Sequence, residues 1–103
     1  MITIRIAKDF SRYPAGRYVV DGPYSGEHFR TKLLVPAIQA QDKVVVDMDG
    51  ARGYGSSFLE EAFGGLVRLG FVKEVIKRKL EIHATNASLK QEIDDYINSA
   101  QPA

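Results

Sequence analysis

Residues 43–63 read Lys-Val-Val-Val-Asp-Met-Asp-Gly-Ala-Arg-Gly-Tyr-Gly-Ser-Ser-Phe-Leu-Glu-Glu-Ala-Phe. Three successive valines predict a strand over 43–48 that is buried on both faces, the mark of a strand inside a parallel sheet. Residues 50–55 follow as a glycine-rich turn. Phe58, Leu59, Ala62, Phe63, Leu66 and Val67 then recur as the broad apolar stripe of a helix lying on a sheet. Ser57 stands three residues before Glu60, the spacing of a capping box. Gly64 and Gly65 each cost the helix about 1 kcal/mol of propensity, which a close approach of helix to sheet offsets. A buried strand handing over to an amphipathic helix is half of a βαβ unit, and it sets the fold class as α/β.

The flanking sequence extends this unit. Ile2, Ile4 and Ile6 alternate with polar residues as a half-buried strand. Arg17–Val20, between Gly16 and Gly22, reads as a short second strand, and together they predict an N-terminal β-hairpin. Ser25 is placed to cap a helix carrying Phe29, Leu33, Leu34, Ala37 and Ile38, with Pro36 kinking or splitting it near Val35. Gly70 ends the helix of the central unit. Val72, Val75, Ile76 and Lys79 favour a short helix. Leu80, Ile82 and Ala84 alternate as a last strand, and a final helix capped by Asn86 or Ser88 buries Leu89, Ile93, Tyr96 and Ile97. The expectation is one domain over residues 1–103, with a mixed sheet of about four strands, parallel right-handed crossovers and the N-terminal hairpin.

Composition narrows the function classes. The chain of 103 residues has fourteen basic and thirteen acidic side chains and a formal charge of +1, so it has no general attraction to nucleic acid or to a membrane surface. No apolar run reaches spanning length, and the N-terminus lacks a signal-peptide pattern, so a cytoplasmic location is expected. Without cysteine and with only His28 and His83, neither a thiolate nor a histidine metal site is expected, and no cofactor is implied. Lys73, Lys77, Arg78 and Lys79 read as a solvated helix face.

The 47–58 segment carries the candidate chemistry. Asp47-Met48-Asp49-Gly50 after the valines resembles the first motif of haloacid-dehalogenase-type phosphatases. That resemblance implies a magnesium-dependent phosphatase with Asp47 as nucleophile and Asp49 as acid and base. The further carboxylate pair this chemistry needs is not at a strand end: Asp94-Asp95 and Glu60-Glu61 both lie in helical patterns. A serine nucleophile elbow needs glycine where Phe58 stands. Gly53-x-Gly55-x-x-Phe58 breaks the dinucleotide fingerprint at its third glycine, and no Gly-Lys-Ser/Thr follows. Helix capping accounts for one serine more readily than for two.

Val44–Leu69 resembles the STAS domain, the module of sulphate transporters and anti-sigma-factor antagonists. Aligned without gaps, Val46-Asp-Met48 matches the strand end, Gly55 takes the place of an aspartate, Ser56 that of the phosphoacceptor, Ser57 that of the second serine and Phe58 that of a glycine. The chain is more similar still to a bacterial STAS-like family of unassigned function. The features that carry this are Gly16-Arg-Tyr18, Ser25-Gly-Glu27 with Phe29-Arg30, Val46-Asp-Met-Asp-Gly50 and Gly53-Tyr-Gly-Ser-Ser-Phe-Leu-Glu-Glu-Ala-Phe-Gly-Gly65.

The resemblance implies a non-enzymatic regulatory module that docks another protein, a histidine-kinase-like ATPase or an anti-sigma factor. Ser56 or Ser57 would be the phosphoacceptor. The expected contact residues are Arg52, Tyr54, Gly55, Ser56, Phe58 and Glu61, with Arg52 placed to pair with Asp49. Tyr54 either faces the partner or folds back over the core. Phosphate at Ser56 would be favoured by the helix dipole and opposed by Glu60 and Glu61. The competing readings are the phosphatase and a structural subunit that dimerises through a sheet edge or a helix face.

Overall fold

The computed structural model describes all 103 residues. Strands β1 (Ile2–Arg5), β2 (Val44–Asp47) and β3 (Leu80–His83) form one parallel sheet in the order β1-β2-β3, with Ile4, Val46 and Ile82 in register. Helix α1 spans residues 26–40, α2 spans 56–68, α3 is Lys73–Lys79 and α4 is Ala87–Ser99. Right-handed crossovers between strands that advance in one direction place their helices on one face of the sheet, and α1 and α2 do pack against each other, with α4 against the middle of α2.

Alternation along the strands divides the sheet into two faces. Ile4, Val44, Val46, Leu80 and Ile82 enter the core with Phe29, Leu34, Phe58, Phe63, Leu66 and Ile93. The other face carries Thr3, Arg5, Val45, Asp47, Glu81 and His83, of which Arg5 and His83 are exposed. Val45 is nonetheless only 5% exposed, in keeping with the expected two-sided burial of the central strand. Above the carboxyl ends of the strands, Phe10, Phe29, Phe58 and Phe63 form an aromatic cluster with Phe29 at its centre, its ring centroid 5.4 Å from Phe10, 6.0 Å from Phe58 and 6.3 Å from Phe63. Such pairs contribute about 0.5–1.5 kcal/mol each beyond the area they bury.

Three expectations are corrected. The sheet has three strands and is wholly parallel, and there is no N-terminal hairpin. After β1 the chain coils into a π-helical turn over Ile6–Phe10. Arg17–Val20 does not extend because Asp21 curls it: the Asp21 carboxylate accepts the N–H groups of Arg17 at 3.2 Å and Tyr18 at 2.8 Å, and Val19–Asp21 closes a 3-10 turn. Pro36 does not break α1 in two, although the bonding pattern changes at Val35, where a kink or split is expected. The helix passes through a π-helical turn over Arg30–Leu34, with the Val35 N–H reaching back to Arg30 O, a wider bonding that suits the missing Pro36 donor. The capping box at Ser57 is absent as well. Gly55 occupies the N-cap of α2, no side chain caps it, and Glu60 is engaged elsewhere. Ser25 and Asn86 do cap α1 and α4, accepting from His28 N at 3.1 Å and Ser88 N at 2.9 Å.

Candidate functional site

The turn between β2 and α2 is fastened from three sides. Met48 N donates to His83 O at 2.9 Å, which holds the strand end against β3. Asp47 Oδ1 accepts the Asp49 N–H at 3.0 Å. Asp49 in turn accepts Thr85 N at 2.9 Å on one oxygen and Thr85 Oγ1 at 2.8 Å on the other. The backbone and hydroxyl of Thr85, in that order, hold the Asp49 carboxyl below the usual carboxylate range. No three aspartate, glutamate or histidine side chains are grouped so as to hold a metal ion.

Tyr54 folds inward. Its hydroxyl donates to Met48 O at 2.6 Å and its ring lies 5.9 Å from Phe58. Burial first, then Asp47 and Asp49, push its phenol well above the ordinary tyrosine value. Because a buried carbonyl without a donor is costly, this bond fixes the height of the turn over the sheet. Arg52 does not pair with Asp49; its N–H donates to Arg12 O at 2.8 Å and its guanidinium lies 6.0 Å from the centre of the Tyr13 ring. A shallow cavity of about 340 Å³ opens between the turn and the start of α4, lined among others by Met48, Asp49, Tyr54, Asn86, Leu89 and Glu92.

Ser56 and Ser57 stand exposed in the first turn of α2, and neither hydroxyl caps the helix. Ser56 lies beside the Tyr96 hydroxyl, which donates to Glu92 Oε2 at 2.7 Å. Arg52 and Gly55 are exposed with the serines, and Tyr54 is half-buried. Phe58 and Glu61 are not part of this surface: Phe58 is fully buried, and Glu61 is 6% exposed. The reason lies in helical phase. Phe58, Glu61 and Ala62 fall on the face of α2 that meets α1, while Ser56 and Ser57 precede the contact.

Further along α2 lies a knot of five charges. Glu61 Oε2 accepts from Arg30 Nη1 at 2.6 Å, a pair in which both side chains are more than nine-tenths buried. Arg30 Nη1 also donates to Glu61 O at 2.6 Å. Arg17 bridges Glu60 at 2.6 Å and Glu61 at 3.2 Å, and Arg68 does the same at 2.7 Å and 3.2 Å. Arg68 first, then Arg17, hold the Glu60 carboxyl below the usual glutamate range. The glycines serve this knot rather than the sheet. A Cβ on Gly65 would collide with the Arg30 guanidinium, one on Gly64 with the Glu60 carboxylate, and one on Gly26 with Phe58 O.

Three of the segments that stand out in the sequence thus meet at one place: Arg17, Arg30, Glu60 and Glu61 form the knot with Arg68, Gly64 and Gly65 make room for it, and Gly26 lets α1 approach the backbone of α2 beside it. Arg68 and Thr85 carry no local pattern that marks them, because their partners lie 7 to 36 positions away; Tyr96 has a local partner in Glu92, but its place beside Ser56 is visible only once the chain is folded.

The family model described as "STAS-like domain of unknown function (DUF4325)" matches residues 25–90. No curated protein and no solved structure matches the chain. The matched span takes in α1, all of β2, the 48–55 turn, the knot's two glutamates and β3. The chain therefore belongs to the family of STAS-like domains of unknown function.

Proposed function

We propose that this domain is a non-enzymatic regulatory module that docks a protein partner on the exposed part of the 51–57 turn, with Ser56 or Ser57 as a phosphoacceptor. The partner class is a histidine-kinase-like ATPase, as in the anti-sigma-factor antagonists that the sequence resembles. One observation carries the reading: both serine hydroxyls are exposed at the mouth of α2 and neither is spent on capping the helix. In the transfer, serine Oγ forms a bond to the γ-phosphorus of ATP as the bond to ADP breaks, and the hydroxyl proton passes to a base of the kinase.

The charge knot supports the same reading. Glu60 and Glu61 alone would repel a phosphate at the start of α2, but Arg17, Arg30 and Arg68 outnumber them. With the carboxylates paired, the helix dipole and its free N–H groups favour the added anion. The Thr85 clasp on Asp49 favours this function over an aspartate-based phosphatase, whose second carboxylate has to be free to exchange protons. The contact residues are Arg52, the outer part of Tyr54, Gly55, Ser56 and Ser57; Phe58 and Glu61 hold that surface from below.

The test is incubation with ATP and a histidine-kinase-like ATPase from the same genome, one encoded beside this chain being the first choice, followed by phosphate mapping by mass spectrometry. Label on Ser56 or Ser57, lost in the corresponding alanine variants, is the expected result. Absence of both label and complex would remove the switch, and magnesium-dependent phosphatase activity abolished by Asp47→Asn would replace it.

A further inference from the structure

We propose that β3 is a self-association edge, through which two copies of this chain join their sheets about a two-fold axis at Ile82. The sheet has only three strands, so β1 and β3 are both edges, and an edge left open is a template for another strand. On each edge one outward N–H is closed and one residue is left open, Thr3 on β1 and Ile82 on β3. Backbone groups of successive residues in a strand point to opposite sides. On β1, Ile2 N donates to Lys43 O of the neighbouring segment, so Thr3 and Arg5 point outward, and the Arg5 N–H is closed by Asp9 Oδ2 at 2.8 Å. On β3, His83 O faces β2, so the outward groups belong to Leu80, Ile82 and Ala84. The Leu80 N–H is satisfied by Ile76 O at the end of α3. The N–H and C=O of Ile82 have no such cover, and β3 has neither proline nor an inserted residue to blunt it.

The side chains favour a second copy as the occupant. Two-fold antiparallel pairing centred on Ile82 sets Ile82 opposite itself, Leu80 opposite Ala84, and Glu81 opposite His83 of the second copy, once on each side of the axis. Apolar residues then meet apolar residues on the core face. On the other face an acid meets an imidazole twice. Glu81 and His83 are already within hydrogen-bond reach of each other inside one chain, with side chains 43% and 56% exposed. Beside the strand runs a groove of about 460 Å³ with Ile76, Leu80, Ile82 and Ile97 at its apolar side and charged and polar side chains, Lys77, Lys90 and Asp94 among them, along the rest, which leaves room for a neighbouring strand and its side chains. Pairing doubles the sheet, from the low end of the usual range to its commonest size. This association leaves the 51–57 turn free, because the turn follows β2 and the edge is β3.

Sedimentation velocity over a concentration series tests the proposal. The unmodified chain is expected to show a monomer–dimer equilibrium. Glu81→Lys places lysine opposite histidine twice, and His83→Glu places glutamate opposite glutamate twice. Each variant alone is expected to weaken the dimer about tenfold, two favourable cross-strand contacts being replaced by unfavourable ones. An equimolar mixture of the two variants is expected to form a heterodimer with affinity near that of the unmodified chain. On one side of the axis the introduced lysine then faces the introduced glutamate, and on the other the retained Glu81 faces the retained His83. A misfolded variant could not give that rescue. A chain that stays monomeric throughout, including one that reserves this edge for a strand of a different protein, would overturn the proposal. So would a dimer whose affinity ignores both substitutions.

Discussion

The Arg30 guanidinium fills the space that a side chain on Gly65 would need, and from there it reaches Glu61 Oε2 at 2.6 Å. A residue near the start of one helix thus decides what a residue near the end of another is able to be. Alanine at position 65 improves helix propensity by about 1 kcal/mol, yet Gly65→Ala is expected to lower stability because it displaces a buried cation. In an Arg30→Ala background the same change should be neutral or stabilising. Denaturant unfolding of the two single variants and the double variant measures that coupling directly.

Breaking the buried pair from either side strands a charge. Arg30→Ala and Glu61→Ala are each expected to cost about 3–5 kcal/mol, since the remaining partner loses its counter-charge away from water. Arg68→Ala removes a cation that is more than a third exposed and one of several on its glutamates, so its cost should be far smaller. Equilibrium urea titration ranks the three.

The knot also sets a pH dependence. Arg68 and Arg17 depress the folded pKa of Glu60 below its ordinary value of 4.5. The charged form is favoured in the folded state, so the stabilisation is fully present above about pH 4.5 and is lost as the pH falls through the lower folded value. Stability should therefore decline on acidification in that window. Glu60→Gln should be less stable at neutral pH and should show a shallower acid decline, as measured by unfolding free energy across a pH series.

Serines at two of the helix starts should separate by role. Ser25 caps α1, so Ser25→Ala is expected to cost about 1 kcal/mol. Ser56→Ala and Ser57→Ala, at hydroxyls that cap nothing, should change stability by less than about 0.5 kcal/mol. Thermal unfolding of the three variants distinguishes them. Equal losses at all three would show that Ser56 and Ser57 are structural.

Tyr54→Phe keeps the ring on Phe58 and deletes the donor to Met48 O. Its expected cost is about 1–3 kcal/mol, with faster amide exchange confined to the 48–55 turn, read by hydrogen exchange.

The central unit is legible in the sequence because its signals are local. Three valines in a row specify burial on both faces, and the 58–67 stripe specifies a helix face, whatever lies elsewhere in the chain. The second strand misleads because Arg17–Val20 has strand-like residues while the decisive contact comes from Asp21, a side chain that captures two backbone donors of its own segment. Gly64 and Gly65 do mark a close approach, but the approaching group is the arginine of another helix and not the sheet. Among the site residues, exposure at Arg52, Gly55 and Ser56 accords with a surface turn. Phe58 and Glu61 lie inside because helical phase, fixed by where α2 begins, turns them toward α1. The apparent Ser57–Glu60 capping box misplaces that starting point, because its glutamate is held by Arg68 and Arg17 instead.

Hydrogen exchange on a complex with the proposed ATPase partner tests the docking claim most directly. The account predicts protection of the amides from 51 to 57 on binding, with little change at the β3 edge, and loss of that protection after phosphorylation of Ser56 or Ser57. A partner footprint that lies elsewhere and leaves 51–57 exchanging as in the free chain would contradict it.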